Sequence, residues 1–105
     1  MIDVCSVDTS TCLFGKRYPL PVGFAPSAMQ KLAGGGGELD VARAARKLNT
    51  NLTLSSQSTC SLEDVKEQAG TGLSCPDLWH QIYLTKDLDR SIPLIKRAEG
   101  PSTRA

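Results

Sequence analysis

This sequence has no excess of either charge, no paired cysteines and no long apolar run, and each absence removes a class of function. Acidic and basic residues are interspersed and the formal net charge is +1. That balance does not attract a polyanion, so neither nucleic acid nor a membrane surface is expected as a partner. No stretch approaches the ~20 apolar residues of a membrane span. The N-terminal MIDVCSVDTS has neither the basic region nor the apolar core of a secretory leader. Cys5, Cys12, Cys60 and Cys75 form no C-x-x-C pair, and His80 is the single histidine. No metal site is therefore expected. The cysteines read as thiols of a reducing compartment, which predicts an intracellular protein, whether cytoplasmic, peroxisomal or mitochondrial. What remains is an ordinary globular composition: 105 residues, 40% hydrophobic and 22% charged, enough for one small domain with a modest core.

The most informative stretch is Asn51–Val65, NLTLSSQSTCSLEDV. Leu52 and Leu54 flank Thr53 at strand spacing. Ser55 to Thr59 form a run of hydroxyl and amide side chains. Ser61 and Asp64 then approach a capping box, opening a helix that carries Leu62 and Val65. A hydroxyl-rich loop between a strand end and a helix start is where α/β proteins place ligands. The plainer reading, that these hydroxyls cap the helix and satisfy loop backbone, stays open at this point.

Around this stretch the pattern is regular. Residues 1–12 read as extended or irregular. Cys12–Phe14 and Tyr18–Pro21 suggest a hairpin turning at Gly15-Lys16-Arg17. Val22–Ala25 reads as a buried strand ended by Pro26, with Gly23 marking close backbone approach. After a loop or short helical turn and the glycine run Gly34–Gly37, a helix is predicted over 38–48. Its apolar stripe is Leu39, Val41, Ala44, Ala45 and Leu48, with Asn49 as C-terminal cap. The second strand spans 51–55, the second helix 61–69, and a third strand Trp79–Leu84. A third helix ends near Glu99-Gly100; Pro93 is tolerated in it if the helix starts late with Ser91 as N-cap, or else it kinks the first turn. Strands alternating with helices predict parallel βαβ units. The tail, 101–105, is polar.

Few side chains stand out chemically. The glycine run lacks the spacing of a nucleotide fingerprint and reads chiefly as a loop. His80 reads as a packing residue, and Cys60 has no paired histidine that would activate it. Gln81 and Tyr83 alternate on one face of an otherwise buried strand. Their amide and hydroxyl need partners, which a ligand supplies if that face lines a cleft; a half-exposed edge strand is the alternative.

Taken in order, Gly23-Phe24-Ala25-Pro26-Ser27-Ala28-Met29-Gln30-Lys31-Leu32-Ala33, Gly37-Glu38, Ala42-Arg43-Ala44-Ala45, Leu52-Thr53-Leu54-Ser55-Ser56 and Gln81-Ile82-Tyr83 resemble the FMN-dependent α-hydroxy acid oxidases and dehydrogenases. That family includes glycolate oxidase and cytochrome-linked L-lactate dehydrogenase. The resemblance runs from about Asp3 to Gly100. It implies an α/β fold, a (β/α)₈ TIM barrel with FMN at the C-terminal ends of its strands. It implies that Pro26, Ser27 and Ala28 lie against the flavin ring, that Ser55 bonds FMN, and that Gln81 bonds the flavin's pyrimidine edge. Tyr83 is implied as the catalytic residue that holds the substrate's carboxylate and hydroxyl, with Gln57 beside it in substrate binding. Ser27 stands where most relatives carry threonine. Gln57 stands where glycolate oxidases often carry tryptophan, which leans away from glycolate oxidase itself. Gly34–Gly36 replace a His-Pro pattern common in relatives.

The family's late-strand histidine base, its arginine and lysine, its phosphate-binding backbone and its upstream active-site tyrosine have no counterpart in these residues. A complete barrel needs ~250 residues. The expectation is therefore a partial barrel over 1–105, a hairpin and about three βα units. Its parent, a homo-oligomer, oxidises a small (S)-2-hydroxy acid of lactate or glycolate type. A non-catalytic remnant and a small α/β ligand-binding module are the alternatives.

Overall fold

The structure, a computed structural model, describes residues 5–72 and 75–100. The expected polar tail and the first residues of the irregular N-terminal segment lie outside them. The chain opens with a hairpin of β1 (Thr11–Leu13) and β2 (Lys16–Tyr18), paired antiparallel with Leu13 opposite Lys16. The turn is Phe14-Gly15, both at positive φ (50° and 82°). Two such residues match the twist of a tight hairpin. Lys16 and Arg17 therefore belong to the second strand rather than to the turn.

Three parallel segments follow. Val22–Ala25 contributes one bridge, Phe24 to Leu52, so the expected first strand is reduced to a single paired position. Phe24 donates its amide to Asn51 and accepts from Thr53 (3.0 and 2.9 Å). Gly23 is required by this approach: a Cβ there would lie 1.9 Å from Asn51 Oδ1. β3 (Leu52–Ser55) pairs in parallel with β4 (Leu78–Gln81), Ser55 opposite Gln81. β4 stops at Gln81, short of the predicted Leu84. Among the described residues no barrel closes.

The helices lie on one side of this sheet. α1 (Glu38–Leu48) and α2 (Leu62–Ala69) pack through Ala42, Ala45 and Ala69, all fully buried. Alanines let the helix axes approach closely. Leu52, Leu54 and Val65 fill the space between helices and sheet, and each such side chain contributes roughly 1.5–3 kcal/mol when buried. Leu48, expected in the stripe, is 47% exposed, while Ala42 and the carboxylate of Glu38 are buried instead. Asn49 caps α1 in the left-handed conformation, and Ser61 caps α2 by accepting from the Asp64 amide (3.1 Å), both as predicted.

α3 (Leu88–Glu99) starts earlier than expected. Asp87, not Ser91, is its N-cap, because the Asp87 carboxylate accepts from the Asp89 amide; Ser91 is buried inside the helix and Pro93 sits in its second turn. α3 joins α2 through a two-pronged ion pair from Arg97 to Glu63 (2.6 and 2.5 Å). Leu88, Leu94 and Ile95 on it remain substantially exposed.

The hairpin is fastened beneath the sheet. Asp77, just before β4, accepts from Lys16 Nζ (3.0 Å) and from the buried Tyr18 hydroxyl. Burial and this neighbouring carboxylate push the Tyr18 phenol up to about 12. Phe14 meets Trp79 edge to face at 5.5 Å.

Candidate functional site

Strand parity divides the sheet into two faces. Leu52, Leu54, Leu78 and His80 share the helix-side face; Thr53, Ser55, Trp79 and Gln81 share the other. The predicted polar residues thus meet at one end of the open face, where β3 and β4 both terminate. Gln81 Oε1 accepts from the Ser56 amide (3.2 Å) and lies within reach of the hydroxyls of Ser55 (3.4 Å) and Ser56 (3.5 Å). Ser55 Oγ in turn accepts from the Gln57 amide (3.1 Å) and is buried.

These bonds settle the orientation of the Gln81 amide. A backbone N–H can only donate, so the atom facing Ser56 is the carbonyl oxygen. The NH₂ group points elsewhere, and nothing among the described residues accepts from it. The end of the sheet therefore presents a half-buried, fixed pair of donors without a protein acceptor.

Beside this cluster runs the loop after Ala25. Pro26, Ser27 and Ala28 are exposed along it, and the Met29 amide donates to the Gln57 carbonyl (3.1 Å), so this loop and the loop after β3 touch. Gln57 is exposed at that contact. Tyr83 is not gathered in. It lies beyond the end of β4 and is 66% exposed, because pairing with β3 ends at Gln81 and nothing beyond holds the chain extended.

A residue that sequence reasoning passed over joins the two loops. Glu38, the first residue of α1, is 1% exposed. Its Oε1 accepts from the amides of Thr59 (2.8 Å) and Gln30 (3.2 Å), and its Oε2 accepts from the Thr59 hydroxyl (2.6 Å). Burial pushes this carboxyl upward, but the bonds from the Thr59 hydroxyl and amide, its own amide and Cys60 outweigh it and hold it at about 2. The signal in the sequence was slight: an acid directly after a glycine run, which reads as ordinary helix-dipole chemistry.

The other candidates take structural places. Cys60 is buried, its thiol toward the Gly36 carbonyl. His80 lines a crevice of about 150 Å³ with Leu54, Val65 and Ala98, away from the polar cluster. The Gly36 amide is taken by Asp40 Oδ2 (2.7 Å), so the glycine run folds onto its own helix. A cleft of about 810 Å³ runs between the loop after Ala25 and the flank of α1 and shares only Ser27 and Ala28 with the predicted site. Among the described residues no group of His, Cys, Asp and Glu is arranged to hold a metal, and no helix is long and apolar enough to cross a membrane. Cys12, Cys60 and Cys75 form no disulfide.

Comparison with known proteins fits this geometry. The chain is 42% identical over 105 residues to glycolate oxidase 3 of Arabidopsis thaliana, and 41% identical over 100 residues to a 2-hydroxyacid oxidase of Dictyostelium discoideum. These alignments cover 100% and 95% of this chain but only 27% and 25% of those proteins. Among solved structures, it superposes on a mandelate oxidase variant with 2-hydroxy-phenylacetamide (TM-score 0.80, 38% identity) and on a flavocytochrome b2 variant with pyruvate bound (TM-score 0.82, 29% identity). Each superposition covers 94% of this chain, and 28% and 25% of the other. The family profile described as FMN-dependent dehydrogenase matches residues 1–105. With the profile matched from end to end, and polar groups gathered where two parallel strands stop, this chain belongs to the FMN-dependent dehydrogenase family.

Proposed function

We propose that residues 1–105 form the first part of a (β/α)₈ barrel in an FMN-dependent enzyme that oxidises a small 2-hydroxy acid to the 2-oxo acid. In this reading the hairpin closes the underside, and Val22–Ala25, β3 and β4 are the first three barrel strands. The open face of the sheet is the barrel's inside, and its polar end is the flavin edge of the site. The observation that carries the proposal is the Gln81 amide, whose oxygen is engaged by the Ser56 N–H while its two donors find no acceptor among the described residues.

The residues present fit a flavin. A pyrimidine ring offers carbonyl oxygens, and Gln81 Nε2 supplies the complementary donors. The exposed backbone of Pro26, Ser27 and Ala28 borders the same edge. Ser55 bears on the cofactor mainly by orienting Gln81, since its hydroxyl is shared between Gln81 and the Gln57 amide. Bound FMN supplies a two-electron acceptor for the hydroxy acid. Gln57 and Tyr83 stand on the substrate side, with Tyr83 requiring an ordered extension of β4 to face it. The only histidine, His80, is on the helix-side face, so no base for the hydroxy acid is present and turnover by these residues alone is not expected. The intact enzyme is proposed to be an intracellular homo-oligomer.

The test is a titration of FMN fluorescence with the chain. Quenching is expected for the native sequence. Gln81→Glu keeps the acceptor for Ser56 but replaces the free donors with a carboxylate. It should weaken quenching about tenfold, the scale of one lost hydrogen bond. Absence of quenching by the native chain at high concentration would sink the flavin role given to Gln81.

A further inference from the structure

We propose that Glu38 is a positioning residue: its buried carboxylate fastens the loop after Ala25 to the loop after β3, and so sets the distance between the backbone at Ser27-Ala28 and the Ser55–Gln81 cluster. The inference rests on the flavin reading of that cluster and adds to it the part that holds it in register.

The carboxylate has no proton to give, so every bond to it comes from a donor. Those donors come from both loops: Gln30 from the first, and Thr59, through amide and hydroxyl, from the second. Because the Thr59 hydroxyl donates to Glu38, its oxygen is left to accept, and it does so from the Lys31 amide (3.3 Å). The result is a relay from Lys31 through Thr59 to Glu38, running from one loop to the other and back to α1. A single acceptor collects both segments, and it is fixed to the first turn of a packed helix.

The backbone around it fits a held arrangement. Met29 is in the left-handed region (φ 53°), unfavourable for a residue with a side chain, and its amide bonds the Gln57 carbonyl. Gly37, next to Glu38, has φ 58°, and a Cβ there would meet the Lys31 amide nitrogen at 2.9 Å. The Lys31 segment thus lies directly against the start of α1. Ser27 and Ala28 precede this clamped region, and the Ser27 carbonyl accepts from Gln30 Nε2 (3.4 Å).

An amide in place of the carboxylate would disturb this pattern. Glu38→Gln keeps one oxygen for the two N–H groups but turns an NH₂ toward the Thr59 hydroxyl. That hydroxyl must then reverse and accept, which leaves its own proton without an acceptor. Thr59→Val removes the relay while keeping the Thr59 amide bond; Thr59→Ser retains both.

The test measures amide hydrogen exchange of the 105-residue chain without cofactor, at concentrations where it is monomeric, together with the FMN titration. In the native chain, residues 29–31 and 57–59 should be protected. Glu38→Gln and Thr59→Val should each speed exchange in both segments together, by at least tenfold, while the paired amides of β3 and β4 stay the slower to exchange. FMN affinity should fall by a similar factor, and Thr59→Ser should behave as native. Loosening of one loop alone, or loops in the native chain that exchange as an unfolded peptide does, would overturn the latch. Loosened loops with unchanged FMN affinity would overturn its positioning role. A native chain with coupled, protected loops but no FMN quenching would uphold the latch and remove the flavin reading instead.

Discussion

Replacing Glu38 by glutamine should change how stability depends on pH as well as its size. A carboxyl held at about 2, against the ordinary 4.5, favours the folded state whenever it is ionised. At roughly 1.4 kcal/mol per pH unit, the contribution is about 3 kcal/mol. The sign follows from the direction. Because the folded value is depressed, the stabilisation is fully present above pH 4.5 and is lost as pH falls through the folded value near 2. A neutral glutamine has no such dependence. The native chain's margin over Glu38→Gln should therefore be about 3 kcal/mol wider at pH 7 than below pH 2, narrowing steadily as pH falls from 4.5. Urea unfolding followed by far-ultraviolet circular dichroism and by fluorescence of Trp79, the sole tryptophan, measures it at each pH. Other depressed carboxyls, such as Glu63 beside Arg97, are present in both proteins and cancel in the difference. A gap that stays constant across that range would refute the reasoning, since it would assign the effect to shape rather than to charge.

Three other outcomes follow from the packing. Gly37→Ala should destabilise by about 1–3 kcal/mol in thermal unfolding, because the new Cβ meets Lys31 at 2.8–2.9 Å and the backbone is at positive φ. Tyr18→Phe should remove about 1 kcal/mol near neutrality by deleting a buried hydroxyl bond to Asp77. It should also abolish a decline in native stability between pH 10 and 12, since a raised phenol value stabilises below 10 and ceases to as pH passes 12. Finally, the chain should self-associate as its concentration rises, because Phe14, Leu32, Leu84 and Leu88 are exposed and the sheet edges are open; sedimentation showing a monodisperse monomer at all concentrations would contradict this.

Much of the architecture was legible in the residues because it depends on local chemistry. Helix α1 lies where the apolar spacing and the Asn49 cap put it, and Ser61 caps α2 as its hydroxyl predicts. Gly23 signalled close approach, and its neighbour Phe24 is indeed bridged to Leu52. Errors arose where a partner strand decides the outcome. Val22–Ala25 is apolar enough for a full strand but bonds at one position, and Trp79–Leu84 is cut at Gln81 because β3 ends opposite it. Ser91 looked like a cap, yet the charged Asp87, four residues earlier, takes that role through its bond to Asp89.

The sequence alone determined the parallel strand–helix order and the family resemblance, since periodicity, residue types and ordered motifs are properties of the chain itself. The tertiary structure alone decided three things. It turned the oxygen of Gln81 toward Ser56 and left the amide donors without an acceptor among the described residues, it moved Tyr83 outside the paired strand, and it buried Glu38 among donors from two loops. Each depends on groups more than twenty positions apart in the chain meeting in space, and no local pattern records such a meeting.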